Sequence, residues 1–132
     1  MLGDLISETR GKRTVRRALS TDPLTVEISF EDGGKLSGVD ANGFGTYTVV
    51  VRPDGSLYGE GEGASITQEG DMATWKGSGL GKFTADGGVS YRGMMYFRSA
   101  SPKLARLNNV ATAFEYDADA TGISHMKAWE WK

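Results

Sequence analysis

The sequence predicts one all-β domain spanning residues 1–132, an antiparallel meander-type β-barrel of about eight or nine strands with one short helical turn. Three observations carry this. Between Tyr47 and Phe97 three glycine-containing turns, Pro53-Asp54-Gly55, Glu69-Gly70-Asp71 and Ala85-Asp86-Gly87, cut the chain into four strands, and three-residue loops with a glycine are a common antiparallel connection. Setting Arg52 opposite Ser56, Gln68 opposite Met72 and Thr84 opposite Gly88 then sorts the flanking residues cleanly into two faces. Helical periodicity is almost absent, and a barrel closes its own edges. An open nine-strand sandwich is the alternative.

Taken in order, Asp4 to Leu19 is the least regular stretch. Leu5, Ile6 and Thr9 suit a helical turn, but Gly11, Thr14 and Val15 favour a bent strand. Thr21-Asp22-Pro23 turns the chain. Leu24, Val26, Ile28 and Phe30 alternate with Thr25, Glu27, Ser29 and Glu31, the clearest period-two signal present. Asp32-Gly33-Gly34 is expected to turn the chain again, with Lys35 to Val39 a short strand leading through Asp40 to Gly43 into the central meander. After Phe97, Ser101-Pro102 followed by Leu104, Leu107 and Asn109 reads as a helical turn able to close one end of a barrel. Val110, Thr112, Phe114 and Tyr116 share one strand face, and Asp117 to Gly122 turns into a last strand, Ile123 to Lys132. That strand has two readings: Trp129 and Trp131 inward, or Met126, Ala128 and Glu130 inward. Pairing Phe114 with Met126 and Thr112 with Ala128 favours the second.

The expected register places Tyr47 beside Gly61, Val49 beside Gly59, Gly63 beside Gly77 and Gly61 beside Gly79. It then sets Trp75 beside Phe97, Gly77 beside Met95, Gly79 beside Gly93, Gly81 beside Tyr91, and Phe83 beside Val89. The opposite face carries Glu60, Glu62, Lys76, Lys82, Arg92 and Arg98 and is the solvent side, since unpaired charges are rarely buried. Glycines 45, 59, 61, 63, 77, 79, 81 and 93 then all point inward. Each costs about 0.5 to 1 kcal/mol relative to alanine, so something offsets them. Either they let strands coil and rings lie on bare backbone, or they leave a cavity walled by aromatic rings.

A formal charge of −2 gives no global attraction for nucleic acid or membranes. With no cysteine there is no disulfide or thiol chemistry. No apolar run spans a bilayer, and Met1-Leu2-Gly3-Asp4 is unlike a signal peptide, so a cytoplasmic protein is expected. No cofactor or metal is implied. Gly59-Glu-Gly-Glu-Gly63 precedes no helix, and Gly81-Lys82 is followed by Phe83 where a P-loop needs serine or threonine.

Few residues carry chemistry. His125 is the only histidine and is expected on the outer face beside Glu115. Glu60 and Glu62 share a face but read as solvated. An inward Glu130 needs a partner such as Arg13 or Arg17, or has a raised pKa. The run Arg10, Lys12, Arg13, Arg16 and Arg17 reads as a solvated strand face partnered by Glu27 and Glu31, with nucleic-acid binding the less favoured reading. Outward Val50, Tyr58, Leu80, Met94 and Tyr96, with Trp129 and Trp131, suggest a homo-oligomer contact.

Gly45-Thr-Tyr47, Arg52-Pro-Asp-Gly55, Leu57-Tyr-Gly-Glu-Gly61, Gly70-Asp-Met-Ala-Thr-Trp75, Leu107-Asn-Asn109, Phe114-Glu115 and Trp129-Glu-Trp131 give the chain a resemblance to a small bacterial family of uncharacterised barrel proteins. More loosely, its plan is similar to allene oxide cyclase-like barrels, which bind apolar substrates and oligomerise. No cyclase motif matches residue by residue, so the resemblance implies no catalytic residue. The expected function is binding of an apolar or aromatic small molecule in the interior, with Tyr47, Trp75, Tyr91, Met95, Phe97, Phe114 and Glu130 as candidate binding residues. The alternative is a filled barrel acting through an oligomeric surface.

Overall fold

Eight antiparallel strands close into a barrel in the computed structural model, which describes all 132 residues. In chain order they are β1 (Leu2–Thr21), β2 (Leu24–Leu36), β3 (Val39–Val51), β4 (Leu57–Thr67), β5 (Met72–Phe83), β6 (Val89–Arg98), β7 (Thr112–Ala118) and β8 (Ile123–Trp131), with a 3-10 helix, Pro102–Asn109, between β6 and β7. Each strand pairs with its sequence neighbours and β8 pairs back with β1, which leaves no free edge. The strand count is eight, and the open sandwich is excluded.

Four loops of one design set the register. Arg52 N donates to Ser56 O at 2.9 Å, Thr67 N to Asp71 O at 2.8 Å, Thr84 N to Gly88 O at 2.9 Å and Asp119 N to Ile123 O at 2.9 Å. Each loop encloses three residues, the last a glycine (Gly55, Gly70, Gly87, Gly122) with φ of 86° to 90°, where a Cβ is penalised. In three of them an aspartate accepts a hydroxyl hydrogen bond: Asp54 from Ser56, Asp86 from Thr84 and Asp119 from Thr121. Those bonds hold the three carboxyls below the usual range.

Because glycine comes last in the loop, the expected turn Glu69-Gly70-Asp71 is instead Gln68-Glu69-Gly70. The β4–β5 register slides by two: Gly63 faces Trp75, Gly61 faces Gly77 and Gly59 faces Gly79. Gly122 does the same to β7–β8, where Phe114 faces Ala128, Tyr116 faces Met126 and Thr112 faces Glu130. A slide of two leaves every side chain on its expected face. The pairings expected of β3–β4 and β5–β6 are present as expected.

Asp32-Gly33-Gly34 does not turn. It runs through β2, and the chain reverses at Ser37-Gly38, with φ of 48° and 79°. A Cβ on Gly34 would strike the Glu8 carbonyl, and one on Gly11 the Glu31 carbonyl, so bare backbone here lets β1 and β2 approach closely. Residues 2–21 form one long strand whose pairing with β2 shifts at Arg13/Val15 and Ala18/Ser20, bulges that re-aim side chains.

Two apolar clusters fill the ends. Leu104 and Leu107, on one side of a helix with three residues per turn, pack with Ile6, Leu36, Phe97 and Ala128. At the other end Val49, Leu57 and Tyr91 form a smaller cluster. Glu60, Glu62, Lys76 and Arg92 are exposed, as expected, and Glu62 lies 4.0 Å from Lys76. Phe83 departs from expectation: at the last rung of β5 it reaches past the barrel wall and is 58% exposed. Among the last residues Ala128 is buried and Trp131 exposed, in keeping with the second reading of β8.

Candidate interior site

Gly45, Gly59, Gly63, Gly79 and Gly81 are seats for aromatic rings. A Cβ on Gly45 would lie 2.7 Å from the Trp75 ring and 2.9 Å from Phe30, and one on Gly81 would lie 2.5 Å from Tyr91. Phe30 stacks on Trp75 with centroids 6.2 Å apart, and Tyr47, Tyr91 and Tyr116 pack against one another at 5.8 to 6.2 Å. Rings thus occupy the space beside these glycines.

What remains is a chamber of about 90 Å³, below the roughly 150 Å³ of an apolar cavity that holds benzene. Tyr47, Trp75, Tyr91, Met95, Phe97 and Phe114 all border it. Glu130 does not. Its carboxylate accepts a hydrogen bond from Arg106 of the 3-10 helix at 2.6 Å, with Asp4 3.7 Å from the same guanidinium. The partner is thus Arg106 rather than Arg13 or Arg17, because the docked helix brings that guanidinium to the closed rim.

The chamber also has a polar side that the sequence reading did not select. Ser7 and Thr9 from β1, Asp32 from β2, Ser65 from β4 and Tyr116 from β7 border it. The Tyr47 and Tyr116 hydroxyls are 3.4 Å apart. Burial raises the pKa of Tyr47, Tyr91 and Tyr116, an effect that the Arg13 guanidinium partly offsets for the first and last. All three phenols are therefore neutral hydrogen-bonding groups at ordinary pH. Burial also raises the Asp32 pKa, an effect that the neighbouring Thr9 hydroxyl offsets in part. The bare backbone of Gly43 admits this carboxyl, since a Cβ there would lie 2.5 Å from Asp32 Oδ1.

His125 sits in the outer wall with Nε2 2.7 Å from Glu8 Oε2, so its partner comes from β1, and in β7 it faces Asp117 rather than Glu115. That hydrogen bond holds the Glu8 carboxyl below its usual range. Of the basic run, Arg10, Lys12, Arg16 and Arg17 are exposed, and Arg17 pairs with Glu27 at 3.0 Å. Arg13 instead packs along Gly122, where a Cβ would lie 2.9 Å from its own. No three His, Asp or Glu side chains converge on a common point. The chemistry available inside is hydrogen bonding by phenols and one carboxyl within aromatic walls.

Fold and site together define a small closed β-barrel with an aromatic interior chamber. No family model matches the chain, and no curated protein does. Solved structures with the same architecture include a conserved protein of unknown function from Rhodopseudomonas palustris (TM-score 0.82, 12% identity, 99% of each chain covered). Another is a protein of unknown function from Clostridium acetobutylicum (TM-score 0.80, 14% identity, 98% of each). A β-barrel-like protein from Acinetobacter baumannii is also similar (TM-score 0.78, 13% identity, 98% of this chain and 96% of that one). At such identities the likeness is one of fold.

Proposed function

We propose that the barrel binds a small apolar or aromatic molecule in its interior, against Tyr47, Trp75, Tyr91, Met95, Phe97 and Phe114. One observation carries the reading: a partly open chamber persists between aromatic walls although several inward glycines are covered by rings. Concave, mostly apolar sites with a few placed polar groups are the usual form of a small-molecule site. A reaction run here is a cyclisation or isomerisation guided by shape and orientation, which a chamber of rings and neutral phenols would supply.

Methyl NMR shifts of Met95 and Met126, which border the chamber, test the proposal. Saturable shifts are expected on titration with small neutral probes from methanol to tert-butanol. Gly59→Val, which places a side chain into the chamber, should abolish them. No saturable shift with any probe would refute it.

A second reading has its own observation. Leu80 and Tyr96 are 58% and 55% exposed on the outer wall, which suits a homo-oligomer contact. Native mass spectrometry returning only monomer across a concentration series would refute that assembly.

A further inference from the structure

Asp32 faces the chamber without a counter-charge. The ion pairs of the barrel lie elsewhere, from Arg17–Glu27 on one wall to Arg106–Glu130 at the rim. Arg13, opposite Phe30 of β2, packs along Gly122 and makes no ion pair with Asp32. The Thr9 hydroxyl is the neutral polar neighbour of Asp32 and borders the same chamber. A desolvated carboxylate without a cation is unfavourable, so the pocket is electrically incomplete on this side. The surrounding walls are aromatic. Phe30 contacts Tyr47, Trp75 and Tyr116 at centroid distances of 6.0 to 6.2 Å, and ring faces attract cations. A lone carboxylate, electron-rich rings and about 90 Å³ of space are jointly complementary to a small positively charged molecule with an alkyl body.

We propose that the interior ligand is a small organic ammonium ion whose N–H groups donate to the Asp32 carboxylate while its alkyl body lies against Phe30 and Trp75. This rests on the ligand-binding reading above and narrows it to a chemical class.

The test compares tert-butylammonium chloride with tert-butanol, two probes of nearly the same shape that differ in charge. Each is titrated into the wild-type protein at neutral pH and low ionic strength, with the Met95 and Met126 methyl shifts and the Asp32 carboxyl carbon shift as readouts. The cation should bind about tenfold or more tightly than the alcohol, as expected of one added charged hydrogen bond, and it alone should move the Asp32 carboxyl signal. In Asp32→Asn the preference should vanish while tert-butanol affinity stays within about twofold. If that variant does not fold, the carboxyl shift in the wild-type protein decides. Binding of tert-butanol without preference for the cation would overturn the ammonium inference and leave the chamber reading intact. A preference that survives in Asp32→Asn would overturn it too. Failure of both probes to bind would overturn both.

Discussion

The wall made by β3 to β6 and the wall made by β1 and β2 look at each other across one chamber and are built by opposite rules. The first is mainly a ladder of inward glycines, rings and aliphatic residues, with Ser65 its polar member at the chamber and no register shift in its three pairings. The second carries Ser7, Thr9, Arg13 and Asp32 inward, and its pairing shifts twice. Rings resting on bare backbone need a regular surface, because a displaced strand would drive backbone into them. Polar side chains that must reach a particular neighbour gain from a bulge, which turns one residue out of line. Regularity thus marks the glycine side of this barrel, whereas the β1–β2 side is regular along Ser7, Thr9 and Asp32 and shifts only from Arg13 onward.

Substitutions on the two walls sharpen that contrast. The largest effect is expected on the glycine wall: Gly45→Val drives a side chain into Trp75 and Phe30 and should destabilise the fold by about 3 kcal/mol in urea unfolding. On the polar wall, Asp32→Asn should change a slope. Desolvation raises the Asp32 pKa above the ordinary 3.8 in the folded chain. Between those two values the native state holds more protons than the unfolded chain, so wild-type stability falls with rising pH in that window, and the loss is complete above it. Asparagine removes this contribution. The stability difference, variant minus wild type, should therefore climb with pH to a plateau, while the loop aspartates with lowered pKa cancel from it. A flat difference would mean that Asp32 ionises as freely in the fold as in the unfolded chain.

Next comes Tyr116→Phe, which removes the hydroxyl 3.4 Å from that of Tyr47 and should cost about 1 kcal/mol while leaving the ring contacts in place. Smallest is Arg17→Ala on the outer surface of β1. Its pair with Glu27 at 3.0 Å is exposed, and the change should stay within about 0.5 kcal/mol. A loss there as large as on the inner faces would break the contrast.

The inner faces were legible where alternation was strict. Tyr47, Trp75, Tyr91, Met95, Phe97 and Phe114 point inward as the period of two requires. The absolute register of β4 on β5 was not, because Gln68-Glu69-Gly70-Asp71 offers two ways to draw a three-residue loop and only the positive φ of Gly70 selects one. Parity survived that slip, so the faces did too. Asp32 was hidden by its neighbours, since Asp-Gly-Gly carries turn chemistry. A signal was nonetheless present: Phe30, Asp32, Gly34 and Leu36 keep the inward period straight through it, and Leu36 is only 1% exposed. The partner of Glu130 had no local signal, because Arg106 reaches it only through docking of the helix.

Of the eight strand pairings, seven join segments adjacent in sequence, and one, β1 with β8, brings Leu2 opposite Trp131. Six of these are hairpins with short loops and one, β6 with β7, closes over the 3-10 helix, whereas the last contact closes a loop of nearly the whole chain, with its greater entropic demand. This seam is the latch of the molecule. Until it shuts, the rings have backbone to lie on but no barrel to surround, so the interior exists as a compartment only while this seam is closed.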